Sequence, residues 1–358
     1  MEIANRFRSE GRLKSLPAID RYSRQERFAL IGKEGQEKLR ASRVAVCGVG
    51  ALGTVIAGTL ARAGVGYLRL IDRDIVEWSN LQRQILFDEE DARTGRPKAE
   101  AAAKHLSLIN KDVTVEPIAT ELNARSAQDL LSNVDLIVDG CDNFDTRFLI
   151  NDFSLRHRVP WIYGGAIGAS GQSMTILPGR TPCLRCLIET PPPPGSLPTC
   201  ETAGIIAPAS MIIASIESAE AIKILAGQSI AVTPGLFVLD LWNGTSKRIN
   251  LDSLKDNPHC PACGRGEYPW LEGTLGSSTT SLCGRDAVQV IPSRAEGVDW
   301  ERLKRDLSIK PGVQLTPFLV RFEAEGFEFS VFRDGRAIIR GTDDVVLARS
   351  LYARHIGC

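Results

Sequence analysis

Arg43-Val44-Ala45-Val46-Cys47, then Gly48-Val49-Gly50-Ala51-Leu52-Gly53, then small residues as far as Ala63 decide the fold. The order is an apolar strand, a glycine turn and a helix closed by Gly64. Glycines let the backbone approach a phosphate, and the helix N-terminus supplies partial positive charge. Residues 67–71 predict the next strand, which ends at Asp72. An acid at that place accepts ribose hydroxyls. Strand before, helix after and an acid downstream together predict a nucleotide-binding unit.

Outward from this unit, residues 113–118, 134–139 and 160–163 predict strands. Helices are expected over residues 21–40, 97–108, 126–131 and 146–156. Alternation of this kind builds a Rossmann-like, mostly parallel α/β sheet with helices on both faces. Ligands bind such sheets beyond the carboxyl ends of the strands. Gly48–Gly53, Asp72 and Asp139–Asn143 all fall at such ends and are expected to converge. Residues 1–20 read as a flexible arm, 21–265 as the main domain, 266–281 as a Gly/Ser/Thr-rich linker and 282–358 as a small α+β domain. In that last segment Phe318, Val320 and Phe322 alternate with other residues, as do Phe327, Phe329 and Val331. Glu325-Gly326 and Asp334-Gly335 are turn dipeptides, and Asp343 or Asp344 can cap a final helix.

A dinucleotide dehydrogenase needs the glycines and one acid. This chain adds Asp74, Asn80, Arg83, Gln84, Lys98 and Asp142. Attack at the α-phosphorus of ATP places charge on departing pyrophosphate, and stabilising it calls for cations and a metal ion aimed at the phosphates. The candidate nucleotide contacts are therefore Gly48, Gly50, Gly53, Asp72, Asp74, Asn80, Arg83, Gln84, Lys98 and Asp142. Asp142 is a candidate magnesium ligand, because magnesium takes one or two carboxylates plus phosphate oxygens. The plainer alternative is that Asp142 caps the helix near Thr146. Asp74 binds magnesium or ribose, or closes a turn. Asp139 orients Asp142 or caps the turn. No His or Tyr-Lys pair stands at a suitable strand end for hydride chemistry.

Nine cysteines include Cys183-Leu184-Arg185-Cys186 and Cys260-Pro261-Ala262-Cys263. Two CxxC knuckles supply four thiolates, a closed tetrahedral zinc shell with a structural role; a redox pair is the alternative. Cys200 stands alone in a loop with four successive prolines, Pro191 to Pro194, and is a candidate nucleophile. Basic and acidic residues balance, 43 against 43, so no basic field points to nucleic acid. The first 20 residues lack the apolar core of a signal peptide. The apolar stretch 203–226 carries Glu217, Glu220 and Lys223, which predicts a buried helix and argues against a membrane span. A cytoplasmic protein with reduced thiols is the expectation.

Taken in order, Arg21-Tyr22-Ser23-Arg24-Gln25, Gly48 to Gly53, Asp72-Arg73-Asp74, Ser79-Asn80-Leu81-Gln82-Arg83-Gln84, Gly95-Arg96-Pro97-Lys98, Asp139-Gly140-Cys141-Asp142-Asn143, the paired CxxC and Thr199-Cys200-Glu201 resemble the ThiF/MoeB family. These are sulfur-carrier adenylyltransferases, relatives of ubiquitin-activating enzymes. The resemblance covers about residues 20–265; the tail is weakly similar to a C-terminal extension of some bacterial ThiF-type proteins. It implies that a β-grasp carrier of the ThiS or MoaD type threads its terminal Gly-Gly into the site. The carrier carboxylate then attacks the α-phosphorus of ATP, giving an acyl-adenylate and pyrophosphate, for thiamin or molybdopterin-type cofactor biosynthesis. It implies that Asp72 holds ribose, that Asn80, Arg83 and Lys98 hold phosphates, and that Asp142 positions magnesium. Arg24 resembles an arginine that reaches the neighbouring subunit's site, which implies a homodimer. Cys200 matches a loop cysteine that in some members becomes linked to the carrier. No rhodanese-like segment is recognised, so a separate sulfur donor is expected. A ubiquitin-like modifier or a short peptide as substrate, or a non-catalytic binder of such a partner, are the alternatives. Intact zinc knuckles disfavour the tRNA-modifying dehydratase branch.

Overall fold

The computed structural model describes residues 21–192, 203–275, 281–282, 286–290, 300–309, 312–333 and 335–356. The expected arm, Cys200 with most of its proline loop, and Asp334 lie outside the described residues.

The first sheet holds β1 (Arg43–Cys47), β2 (Tyr67–Ile71), β3 (Thr114–Ile118), β4 (Leu136–Asp139), β5 (Trp161–Ile167), β6 (Ser170–Ile176), β7 (Leu236–Asp240) and β8 (Thr245–Ile249). Its order is β3-β2-β1-β4-β5-β6-β7-β8. From β3 to β5 the pairings are parallel. From β5 to β8 they are antiparallel, so the sheet gains a second half that the alternating strand–helix pattern did not foretell. The parallel strands read as continuous apolar runs because both faces are covered. Successive side chains point to opposite faces: Val44 and Val46 enter one core cluster, Ala45 and Cys47 the other.

Helices α1 (Ser23–Glu26), α2 (Gly32–Ala41), α3 (Gly53–Ala63), α4 (Glu89–Thr94), α5 (Lys98–Ile109), α6 (Ala127–Leu131), α7 (Phe144–His157), α8 (Leu184–Leu187) and α9 (Ala207–Leu225) surround that sheet. The cluster with Val44 takes in α2, α3, α5 and α9. The cluster with Ala45 takes in α6, α7 and α8. The single helix expected over residues 21–40 is two, because Gly32 adopts φ +60° and the chain restarts there. The apolar stretch 203–226 contains α9, whose Glu217 and Glu220 are buried. Among the described residues no helix is long and apolar enough to cross a membrane. The stretch expected to be a linker is tied down in its first half. Trp270 is buried against Phe148, ring centroids 4.6 Å apart, and its backbone N–H donates to Asp152 at 3.0 Å.

The second sheet is antiparallel: β9 (Ser281–Leu282), β10 (Ala287–Val290), β11 (Gln314–Leu315), β12 (Leu319–Ala324), β13 (Phe327–Phe332) and β14 (Ala337–Arg340), in the order β11-β12-β13-β14-β10-β9. Glu325 and Gly326 both take positive φ, 54° and 81°, which the twist of a two-residue hairpin requires. Helices α10 (Trp300–Ser308) and α11 (Val345–His355) complete this unit. Asp344 caps α11, accepting from the N–H groups of Val346 and Leu347 at 2.8 and 3.1 Å.

Candidate nucleotide site and metal centre

The glycine turn follows β1 directly, with Gly48 at φ +85°. A Cβ on Gly48 would lie 2.5 Å from the Gly140 carbonyl oxygen, and one on Gly53 would lie 1.9 Å from that of Gly48. Backbone packing therefore demands both. At Gly50 the nearest atom to such a Cβ is Gln84 Nε2, at 3.8 Å. Packing does not demand this glycine, and the side where a Cβ would stand is left uncrowded.

Asp72, at the end of β2, accepts from the N–H groups of Val49 and Asp74, both at 2.7 Å. It locks the glycine turn to the next strand. Burial pushes its carboxyl up from the ordinary value, and the Lys98 ammonium opposes that rise. Lys98 is buried at the first position of α5; it donates to Asp74 Oδ2 at 3.1 Å, and its N–H donates to the Asp74 carbonyl at 2.9 Å. Asp74 thus holds the lysine by both side chain and backbone.

Asn80 ends a short 3₁₀ turn, Trp78–Asn80, and its buried side chain accepts from the Glu77 N–H at 3.0 Å. Arg83 is half-buried and donates to the Ser79 carbonyl at 2.8 Å. Gln84 is buried against the glycine turn, and its Oε1 has no hydrogen-bond partner among the described residues. A buried carbonyl oxygen left so costs free energy until something donates to it.

Asp139, ending β4, accepts from the Cys141 N–H at 2.8 Å and pairs with Arg147 Nε at 3.1 Å. Asn143, not Asp142, caps α7 by accepting from the Thr146 N–H at 2.8 Å. Asp142 is exposed, with Oδ1 3.5 Å from the Asn143 side-chain amide. The capping alternative for Asp142 is thereby removed. Two groups escaped the sequence reading. Arg147 donates to the carbonyls of Cys141 and Gly164 at 2.7 and 2.9 Å as well as to Asp139. Glu217 of α9 lies beneath Gly164, fully buried, with neither oxygen hydrogen-bonded among the described residues. Burial pushes its acid well above the usual carboxylate range.

Cys183, Cys186, Cys260 and Cys263 come together on the face that carries α7, with all four sulfurs within 4.8 Å of one another. Sulfur separations of 3.8, 3.7 and 3.3 Å fit a tetrahedron with Zn–S bonds of about 2.3 Å. The thiolate set suits zinc, and no open position remains for chemistry. Arg24 is exposed on α1. That helix sits at the far end of α3 from the glycine turn, where Gln25 donates to the Ala63 carbonyl at 2.9 Å. Arg24 is therefore not gathered with the other candidates of its own chain, and Cys200 lies outside the described residues.

The ThiF family model matches residues 22–262. A protein of Bacillus subtilis (strain 168) named sulfur carrier protein ThiS adenylyltransferase is 41% identical across 94% of this chain and 99% of its own length. The SAMP-activating enzyme E1 of Haloferax volcanii is 38% identical over 71% of this chain and 92% of its own. A sulfur carrier protein adenylyltransferase of Thermus thermophilus is 37% identical over 69% and 91%. Among solved structures, E. coli MccB with ATP matches with a TM-score of 0.59 and 25% identity, over 69% of this chain and 75% of that one.

Proposed function

The chain belongs to the ThiF family, and from that premise we propose that it uses ATP to adenylate the C-terminal glycine carboxylate of a ubiquitin-like sulfur-carrier protein of the ThiS or MoaD type. One observation carries this reading: an uncrowded glycine turn, two acids and a buried lysine converge beyond β1 and β2. A carrier carboxylate oxygen attacks the α-phosphorus, the bond to the bridging oxygen breaks, and pyrophosphate leaves with the electron pair. The acyl-adenylate is the activated species for thiocarboxylate formation, in thiamin or molybdopterin-type cofactor biosynthesis.

Each residue has a part in that reading. Asp72 accepts from ribose as well as from the turn, since a carboxylate has about four acceptor positions. Gly50 lets phosphate meet backbone N–H groups. Lys98 and Arg83, with Asn80 and Gln84, face the phosphates and balance the charge of the leaving group. Asp142 has the exposure to take a magnesium ion, which would supply further neutralisation of phosphate charge. Arg147 fixes the strand end from which Asp142 projects. The four cysteines hold a structural zinc. Residues 21–265 act as the adenylyltransferase domain, in a homodimer whose Arg24 serves the other subunit, and sulfur comes from a separate donor protein.

The test is ATP–pyrophosphate exchange with a panel of carriers ending in Gly-Gly. Exchange should depend on one carrier, and Lys98→Ala should lower it at least tenfold, about 1.4 kcal/mol. Exchange with none of them, or exchange indifferent to Lys98, overturns the proposal.

A further inference from the structure

The C-terminal sheet grips the segment that bears Asp74, Asn80, Arg83 and Lys98. That segment is a loop pinched at its base. Ile75 bridges Pro97, the Val76 N–H donates to the Arg96 carbonyl at 2.8 Å, and the Lys98 N–H donates to the Asp74 carbonyl at 2.9 Å. The C-terminal unit touches both strands of this base. Arg336, buried just before β14, donates to the carbonyl of Arg73, the residue between the two site acids. Ile75 is buried with Ala287, Leu319, Phe332 and Ile338 in a small core shared by the two units. On the other strand, the Arg96 guanidinium lies 4.8 Å over the Phe318 ring. Higher in the loop, Arg340 of β14 pairs with the Glu77 carboxylate. Glu77 and Asn80 exchange the two bonds of a capping box, so Arg340 holds the turn that presents Asn80.

We infer that the C-terminal unit braces the nucleotide site, with Arg336 and Arg340 as positioning residues that set the affinity for ATP. The inference rests on the adenylyltransferase reading for its ligand. The physical basis is preorganisation: a loop already held in its binding shape loses less conformational entropy when the phosphates arrive. Neither arginine touches the nucleotide. Their loss should weaken ATP binding and leave the chemical step nearly intact.

The experiment uses the full-length protein with Arg340→Ala, Arg340→Lys and Arg336→Ala. Arg340 is about a third exposed (side chain 35%), so its truncation spares folding where that of buried Arg336 threatens it. In carrier-dependent exchange, Arg340→Ala should raise KM for ATP at least fivefold with kcat changed less than twofold, and Arg340→Lys should recover part of the loss. Without any nucleotide, hydrogen exchange at the Val76 and Lys98 amides should quicken in both alanine variants, a change that mere loosening of β12–β14 would not produce. Unchanged KM together with unchanged protection of those two amides overturns the brace. The amide measurement needs neither ATP nor carrier, so it stands or falls apart from the assigned activity.

Discussion

Gly48, Gly50 and Gly53 share one turn but answer to different demands. Gly48 and Gly53 are boxed in by the carbonyls of Gly140 and Gly48, whereas a Cβ on Gly50 would meet only Gln84 Nε2 at 3.8 Å and its φ is not positive. Substituting Gly53 by Ala forces two backbones apart and should cost on the order of 2–3 kcal/mol of stability. Gly50→Ala should leave stability within about 1 kcal/mol while lowering ATP affinity at least tenfold, because its methyl stands where phosphate would meet the backbone. Thermal unfolding and direct nucleotide titration separate the two, and equal behaviour would remove the distinction. The turn and Asp72 were legible because spacing and strand ends encode them. Arg147 and Glu217 were not. Arg147 gains meaning only when α7 lays its guanidinium against Asp139 and the Gly164 carbonyl. Glu217 looked like a charge that rules out a membrane span; the register of α9 on β5 puts it under Gly164.

Between elements, the two cysteine knuckles staple α8 to the turn at residues 260–263, and they sit beside Trp270 in one cluster with α7. The Arg185 guanidinium lies 5.1 Å over the Trp270 ring, and the backbone N–H of Trp270 reaches Asp152. Elemental analysis should give one zinc per chain. Removing a ligand by Cys263→Ser, or the metal by chelation, should destabilise the fold and lower Tm by about 2–4 °C for each kcal/mol lost. Tryptophan emission should shift to the red, and Trp270→Phe should abolish that shift. A metal-free protein with the same Tm would undo the staple. The paired CxxC made this centre readable, yet the anchoring Trp270 fell in a Gly/Ser/Thr-rich stretch that composition marks as linker. A similar limit hid the antiparallel half of the main sheet. The central strands β1 and β4 announce themselves by the buried apolar runs Val44–Cys47 and Leu136–Val138, while β8 is exposed at every residue and carries no periodic signal.

At the scale of the molecule, the position of Arg24 separates a self-sufficient site from a shared one. Helix α3 runs 11 residues from the glycine turn to Ala63, about 16 Å, and α1 is fastened at its far end. Gln25 holds the Ala63 carbonyl, and Asn110 donates to the Tyr22 hydroxyl at 2.8 Å. That span exceeds an arginine side chain, which supports the reading that Arg24 serves another subunit's site and not its own. Phe28 and Leu30 follow it, each 57% exposed, apolar area that a second copy would cover in a two-fold arrangement. In the proposed homodimer, the Arg24→Ala and Asp142→Ala proteins should each be inactive. Mixed subunits that exchange freely form half of their dimers as hybrids. Each hybrid has one site with both residues intact and one with both lost, so about a quarter of all sites should recover carrier-dependent exchange. Activity of the Arg24→Ala homodimer near that of wild type would remove the residue from the site altogether. Failure of the mixture to recover, with subunit exchange verified by differently tagged chains, would show that the two losses cannot be separated across an interface and that the site is not shared.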